Sequence, residues 1–159
     1  MRGITKDFSF PFIAKIGKGS SKGRGVFLIR NQSDLDAYCL TNRYAYIQEY
    51  IPVKQSARVV LLNGHIVKAY WLKAPNKSFL TNCYQGGTIS MEPVPEEVLE
   101  LARKVAVQCG FDEMGLDIIR GKDKYYVLEA NMAFGTKGLE KAGLELYQVR
   151  RDMLLKGLI

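Results

Sequence analysis

Residues 57–73 read ARVVLL, Asn63-Gly64, HIVKAYWLK: two apolar runs joined by the dipeptide that most favours a type I′ turn. This is a β-hairpin, and it commits the middle of the chain to antiparallel sheet. A second pair of apolar runs, Gly115–Ile119 and Tyr125–Leu128, flanks Gly-Lys-Asp-Lys and reads as another hairpin. That second hairpin is unusual. Asp117 interrupts its first run, and Glu129 and Asn131 close the second, at positions where Val or Ile would pack better.

The other elements follow from local signals. Pro11–Ile16 is an apolar strand that carries Lys15, and it runs into the glycine-rich loop GKGSSKGRG, Gly17–Gly25. Val26–Arg30 is a second strand. Asn31 or Ser33 can cap a short helix over Asp34–Leu40, with Leu35 and Cys39 on one face. Tyr44–Ile51 is a third strand, stopped by Pro52. Ala74–Ser90 is a long polar segment containing Gly86-Gly87. Pro95 starts a helix with Glu96 and Glu97 in its first turn, an apolar stripe of Val98, Leu101, Ala102, Val105 and Cys109, and Gly110 as its stop. A last helix is expected over roughly Glu140–Lys156. Strands and helices mix without regular βαβ alternation, which predicts an α+β fold.

Composition excludes several classes. The 159 residues suit one ordinary domain, and 47% hydrophobic with 25% charged residues is the balance of a soluble globular chain. No apolar run approaches the ~20 residues of a membrane helix. Lys6 and Asp7 break any signal-peptide core. Cys39, Cys83 and Cys109 are too far apart for a disulfide framework or a CxxC metal site, so a reduced, cytoplasmic protein is expected. The net charge of +7 is compatible with nucleic acid, a membrane surface or a phosphate-bearing ligand. The basic residues are spread from Arg2 to Lys156 without a stripe or interleaved aromatics, which argues against nucleic acid.

Glu129 and Asn131 are two apart on a strand and share a face. A hairpin loop of three residues (Lys122–Lys124) or five (Gly121–Tyr125) sets Asp117 opposite Glu129, at the roughly 5 Å spacing of cross-strand neighbours. Two such carboxylates repel unless a cation lies between them, and carboxylate and amide oxygens suit Mg²⁺ or Mn²⁺. Asp117 as a turn cap, with Glu129 paired to an edge lysine, is the alternative. The glycine loop can wrap a phosphate with backbone N–H groups beside Lys18, Lys22 and Arg24, or can be a plain hairpin turn. Lys15 must face solvent or an anion. Gln48-Glu49-Tyr50-Ile51 can hold an adenine edge or simply end a strand. Arg58 and Asn82 are the remaining polar candidates, the arginine offering a planar fork for phosphate or carboxylate. His65 is expected at the surface and Trp71 in the core. Cys83 has no sequence-near histidine to activate it.

Taken in order, Lys15, the glycine-rich loop, QEYI, Arg58, F-x-T-N followed by Gly-Gly, G-x-D-I and LEAN resemble the ATP-grasp superfamily, most closely its RimK-type glutamate ligases. The resemblance runs from about Pro11 to Gly143. It implies two lobes, 1–51 partly covering the nucleotide and 52–159 carrying the metal and substrate, with ATP clasped between them. In that picture Lys15 contacts phosphates, and Gly19, Ser20, Ser21 and Gly23 cover them. Glu49, Tyr50 and Ile51 hold adenine and ribose, and Thr81 also lines the nucleotide. Asp117, Glu129 and Asn131 take Mg²⁺ (or Mn²⁺), and Arg58 and Asn82 stabilise charge on the transferred phosphoryl group. The implied reaction is amide formation between a carboxylate and an amine through an acylphosphate, with an amino acid, a peptide or a protein terminus as substrate. Ser56 stands where the family usually has an acidic residue, Leu80 replaces an arginine, and MAFGTKG replaces a proline-containing loop. The chain begins almost at the Lys15 strand, so the resemblance implies the C-terminal portion of a ligase whose preceding domain is absent, with an exposed edge open to dimerisation. A nucleotide-binding module or pseudo-enzyme is the alternative function.

Overall fold

The computed structural model describes residues 3–17, 24–75, 78–81 and 86–159. Gly19, Ser20, Ser21, Gly23 and Asn82 lie outside the described residues. Two compact units divide after Pro52.

The first unit is a three-stranded antiparallel sheet in the order β2-β1-β3, with β1 at Phe12–Lys15, β2 at Val26–Ile29 and β3 at Tyr46–Glu49. A single turn, α1 (Ile4–Asp7), precedes it. Asn31 caps α2 (Gln32–Thr41) by accepting the Asp34 N–H at 3.0 Å, which satisfies one of the open donors of the first turn. Leu35 and Tyr38 then pack on Phe12, Ala14 and Ile29. Ile13 and Lys15 alternate onto the opposite face.

The second unit is a five-stranded sheet in the order β6-β5-β4-β7-β8, antiparallel throughout. Its strands are β4 (Gln55–Leu62), β5 (His65–Lys73), β6 (Thr88–Ser90), β7 (Glu113–Arg120) and β8 (Tyr125–Asn131). The Asn63-Gly64 turn has φ of 45° and 77°, the two positive values that the type I′ turn needs. Helix α3 (Glu96–Cys109) lays Val98, Ala102 and Ala106 on one face of the sheet, against Ala57, Val59, Leu61, Met114, Leu116 and Ile118. Trp71 belongs to the same core, and its indole N–H donates to the Pro93 carbonyl at 3.3 Å. Cys109, expected on the apolar stripe, is exposed, because Ala106 takes the last buried position of the helix.

The opposite face of this sheet is covered only in part. There Val60, Tyr70 and Leu72 pack around Leu139 of α4 (Lys137–Lys141). The long final helix expected from the sequence is two helices, α4 and α5 (Leu146–Leu155). Gly143, at φ 71°, breaks it. Its N–H bonds the Glu140 carbonyl and the Leu144 N–H the Leu139 carbonyl, closing α4 before the chain turns into α5.

Leu116 is fully buried at the centre of the α3 core. Leu116→Ala is expected to cost about 2–5 kcal/mol through lost transfer energy and a residual cavity, measured as a lower urea midpoint with an unchanged slope.

Candidate nucleotide and metal site

The sparsely covered face of the second sheet carries a polar row across four strands. Tyr70 of β5 lies opposite Arg58 of β4, Arg58 opposite Asp117 of β7, and Asp117 opposite Glu129 of β8. In the next row Gly115 faces Asn131, which puts Asn131 on the same side as Glu129. The structure therefore brings Arg58, Asp117, Glu129 and Asn131 together.

Two bulges set this row. The β7–β8 loop has four residues, Gly121–Lys124, rather than three or five, and the Gly121 N–H bonds the Lys124 carbonyl at 2.8 Å. A four-residue loop by itself would face Asp117 with Leu128. The register shifts between Asp117 and Ile118, leaving Leu128 as the extra residue and restoring Glu129 as the partner. The β4–β5 hairpin shifts likewise between Val60 and Leu61. Continued without a break from the Asn63-Gly64 turn, it would face Arg58 with Ala69; the bulge replaces Ala69 by Tyr70.

Arg58 holds Asp117 in a two-pronged ion pair. Nε donates to Oδ1 at 2.5 Å and Nη2 to Oδ2 at 2.8 Å, with the two side chains only 12% and 11% exposed. Burial pushes the guanidinium pKa down most strongly. The hydrogen bonds and charge of Asp117, helped by Tyr70 and Glu129, outweigh it and leave Arg58 above its ordinary value. Arg58 is thus a fixed cation. Each Asp117 oxygen keeps a lone pair beyond the one that the arginine uses. Among the described residues no three His, Cys, Asp or Glu side chains form a metal cluster. The third oxygen donor beside the two carboxylates is the Asn131 amide. That all-oxygen set fits a hard divalent cation such as Mg²⁺.

Thr81 stands at the edge of the same face. Its hydroxyl is 2.8 Å from that of Ser56, and both residues are buried. At 0% exposure, Ser56 satisfies its hydroxyl within the protein, where a carboxylate would have to bury a charge.

In the first unit, Lys15 is half-buried at the end of β1, its ammonium 5.9 Å from the Tyr46 ring centroid. Glu49 pairs with Phe12, so its side chain lies on the face opposite Lys15, and Tyr46 and Gln48 share the Lys15 face instead. Tyr50 and Ile51 follow β3 and are half-buried. His65 is exposed. A cavity of about 310 Å³ lined by Leu62, Asn63, Asp112, Glu113, Arg150 and Ile159 contains none of the expected site residues.

Sequence reasoning passed over Tyr70, Phe134 and Gly138. Gly115 had a signal, since G-x-D places it on the Asp117 face, where Phe134 now covers it.

A family model described as the RimK-like ATP-grasp domain matches residues 3–148. The chain belongs to the RimK-like ATP-grasp family. Among curated relatives, a coenzyme gamma-F420-2:alpha-L-glutamate ligase of Methanocaldococcus jannaschii is 33% identical over 144 residues, covering 85% of this chain and 48% of that protein. A ribosomal protein bS6–L-glutamate ligase of Escherichia coli is 31% identical over 137 residues, covering 82% and 45%. The chain therefore spans about half the length of these relatives. Among solved structures, the ATP-grasp ligase PsnB with its precursor peptide and AMPPNP superposes with TM-score 0.68 at 21% identity, covering 92% of this chain and 46% of that one. The D-alanine–D-alanine ligase of Bacillus anthracis complexed with ATP gives 0.64 at 17%, covering 93% and 52%. The fold is ATP-grasp, an α+β architecture.

Asp117→Leu strands the buried Arg58 guanidinium and is expected to cost about 3–5 kcal/mol in urea unfolding. Arg58→Met combined with Asp117→Leu is expected to recover most of that loss, because no uncompensated charge is left in the sheet.

Proposed function

We propose that this RimK-like ATP-grasp chain is the ATP- and Mg²⁺-dependent part of a carboxylate–amine ligase. The observation that carries the proposal is the convergence of Asp117, Glu129 and Asn131 with the fixed cation Arg58 on one sheet face. Asp117, Glu129 and Asn131 would hold Mg²⁺, which when bound supplies charge neutralisation on the triphosphate. Arg58 commits two N–H groups to Asp117 and keeps others to donate to a transferring phosphoryl group. Its charge does not depend on pH in the working range, and Asp117 fixes its orientation before any ligand arrives. Lys15 is assigned to the phosphates, with the loop residues Gly19, Ser20, Ser21 and Gly23 beside them. Glu49, Tyr50, Ile51 and Thr81 are assigned to the rest of the nucleotide, and Asn82 to the phosphoryl group with Arg58.

In the proposed reaction the γ-phosphoryl group passes to a substrate carboxylate and ADP leaves. An amine then attacks the acyl carbon, phosphate departs and an amide remains. Two relatives are L-glutamate ligases by name, which supports an amino acid as the amine and a peptide, protein terminus or small molecule as the acid. ATP use and a Cys109 thiol outside any disulfide fit the cytoplasm.

A nucleotide-binding module without turnover is the second reading, favoured by Leu80 in the place of the family's arginine. Under that reading Leu80→Arg leaves phosphate release from Mg²⁺-ATP unchanged; under the first it raises it.

The deciding measurement is calorimetric titration with ATP, with and without Mg²⁺, on the wild type and Glu129→Ala. Binding that needs Mg²⁺ and weakens by roughly tenfold or more in the variant is expected, since the variant removes one charged oxygen ligand. Mg²⁺-independent binding of equal strength in both proteins would remove Glu129 from the metal site.

A further inference from the structure

The head of Arg58 is fixed by Asp117, and its stem is fixed by something else. A Cβ built on Gly115 would lie 2.8 Å from Phe134 Cβ, 3.0 Å from Phe134 Cγ and 3.2 Å from Arg58 Cδ. Phe134 and the arginine stem therefore share the space that the missing side chain of Gly115 leaves over β7. On the other side, Tyr70 stands directly opposite Arg58 and is 2% exposed. Its ring is seated on Gly138, where a Cβ would come within 2.0 Å of Cζ and 2.4 Å of both Cε atoms. Leu139, fully buried, anchors that contact in the same apolar cluster as Tyr70 and Phe134. Both aromatic contacts thus depend on one stretch, Phe134–Leu139, which follows β8.

We propose that Phe134 and Tyr70 are positioning residues for Arg58, with Gly115 and Gly138 as the spaces that admit them. The segment after β8 acts as a clamp: it presses Phe134 over Gly115 and Tyr70 into line with Arg58, so the guanidinium meets Asp117 with both prongs. The catalytic meaning of the clamp rests on the role given to Arg58 above; the clamp itself is a statement about how Arg58 is held.

The test is ¹⁵N NMR on the full chain, following the Arg58 Nε–H, whose signal is identified by its loss in Arg58→Lys. In the wild type this proton is expected to exchange slowly with water. Phe134→Ala is expected to speed its exchange roughly tenfold or more, while the Val59 and Leu116 amides keep their protection. Phe134→Leu, which keeps most of the apolar bulk, is expected to restore slow exchange. Gly138→Ala, which displaces Tyr70, should act in the same direction as Phe134→Ala. Unchanged Arg58 exchange in Phe134→Ala would overturn the proposal. So would a loss that Val59 and Leu116 share, because that marks general loosening of the sheet. Phosphate release from Mg²⁺-ATP by Arg58→Lys is the separate check on the catalytic role. Normal release there removes that role, while the exchange data still decide the clamp.

Discussion

A charge at the centre of a β-sheet has to be answered on the spot, and Arg58 and Asp117 answer each other. They sit on adjacent strands of the second unit, the central β4 and its neighbour β7, with side chains only 12% and 11% exposed. Either ion alone would cost several kcal/mol in such a place, and only a well-formed two-pronged pair offsets that cost. The requirement reaches outward. The absent side chain of Gly115 leaves room for Phe134 beside the arginine stem, and the register keeps Arg58 and Asp117 directly opposed.

The two faces of this sheet follow different rules. Under α3 the inward residues Ala57, Val59 and Leu61 of β4 and Met114, Leu116 and Ile118 of β7 are apolar and fully buried, the packing of an ordinary domain core. On the other face an apolar half under α4 gives way to the polar row that ends at Glu129 and Asn131 on the edge strand β8. Glu129 is exposed while Asp117 is buried, so the row grades from a satisfied interior pair to an exposed carboxylate at the sheet edge. Under the proposed role, a row built this way would present its acceptors to an incoming cation and keep its own cation pre-oriented, the arrangement that electrostatic catalysis favours. Placing the row on strands rather than loops gives it the rigidity of the ladder.

Much of this was legible in the chain itself. Asn63-Gly64 dictates the first hairpin, and Pro95 and Gly110 bracket α3. The spacing of Glu129 and Asn131 puts them on one face whatever else happens, because side-chain period along a strand is two. Local propensity failed where a single residue redirects the chain: the apolar pattern of 140–156 reads as one helix, and Gly143 splits it. The site was less legible than the fold. Ser56 and Thr81 are 25 residues apart and nothing local pairs their hydroxyls. Glu49 carries the right chemistry for a ribose contact, yet pairing with Phe12 turns its side chain away from Lys15.

The sequence by itself determined which residues could carry charge into a sheet, where its turns fall and which strands alternate in phase. Only the tertiary structure decided which of those residues meet. The reason is the two bulges, at Leu128 and Val67. One inserts a residue into the edge strand β8 and the other into β5, and one residue of register exchanges the two faces of a strand. Turn chemistry counts residues from the loop and cannot foresee that insertion. The insertions put Tyr70 and Glu129, in place of Ala69 and Leu128, beside the buried Arg58–Asp117 pair.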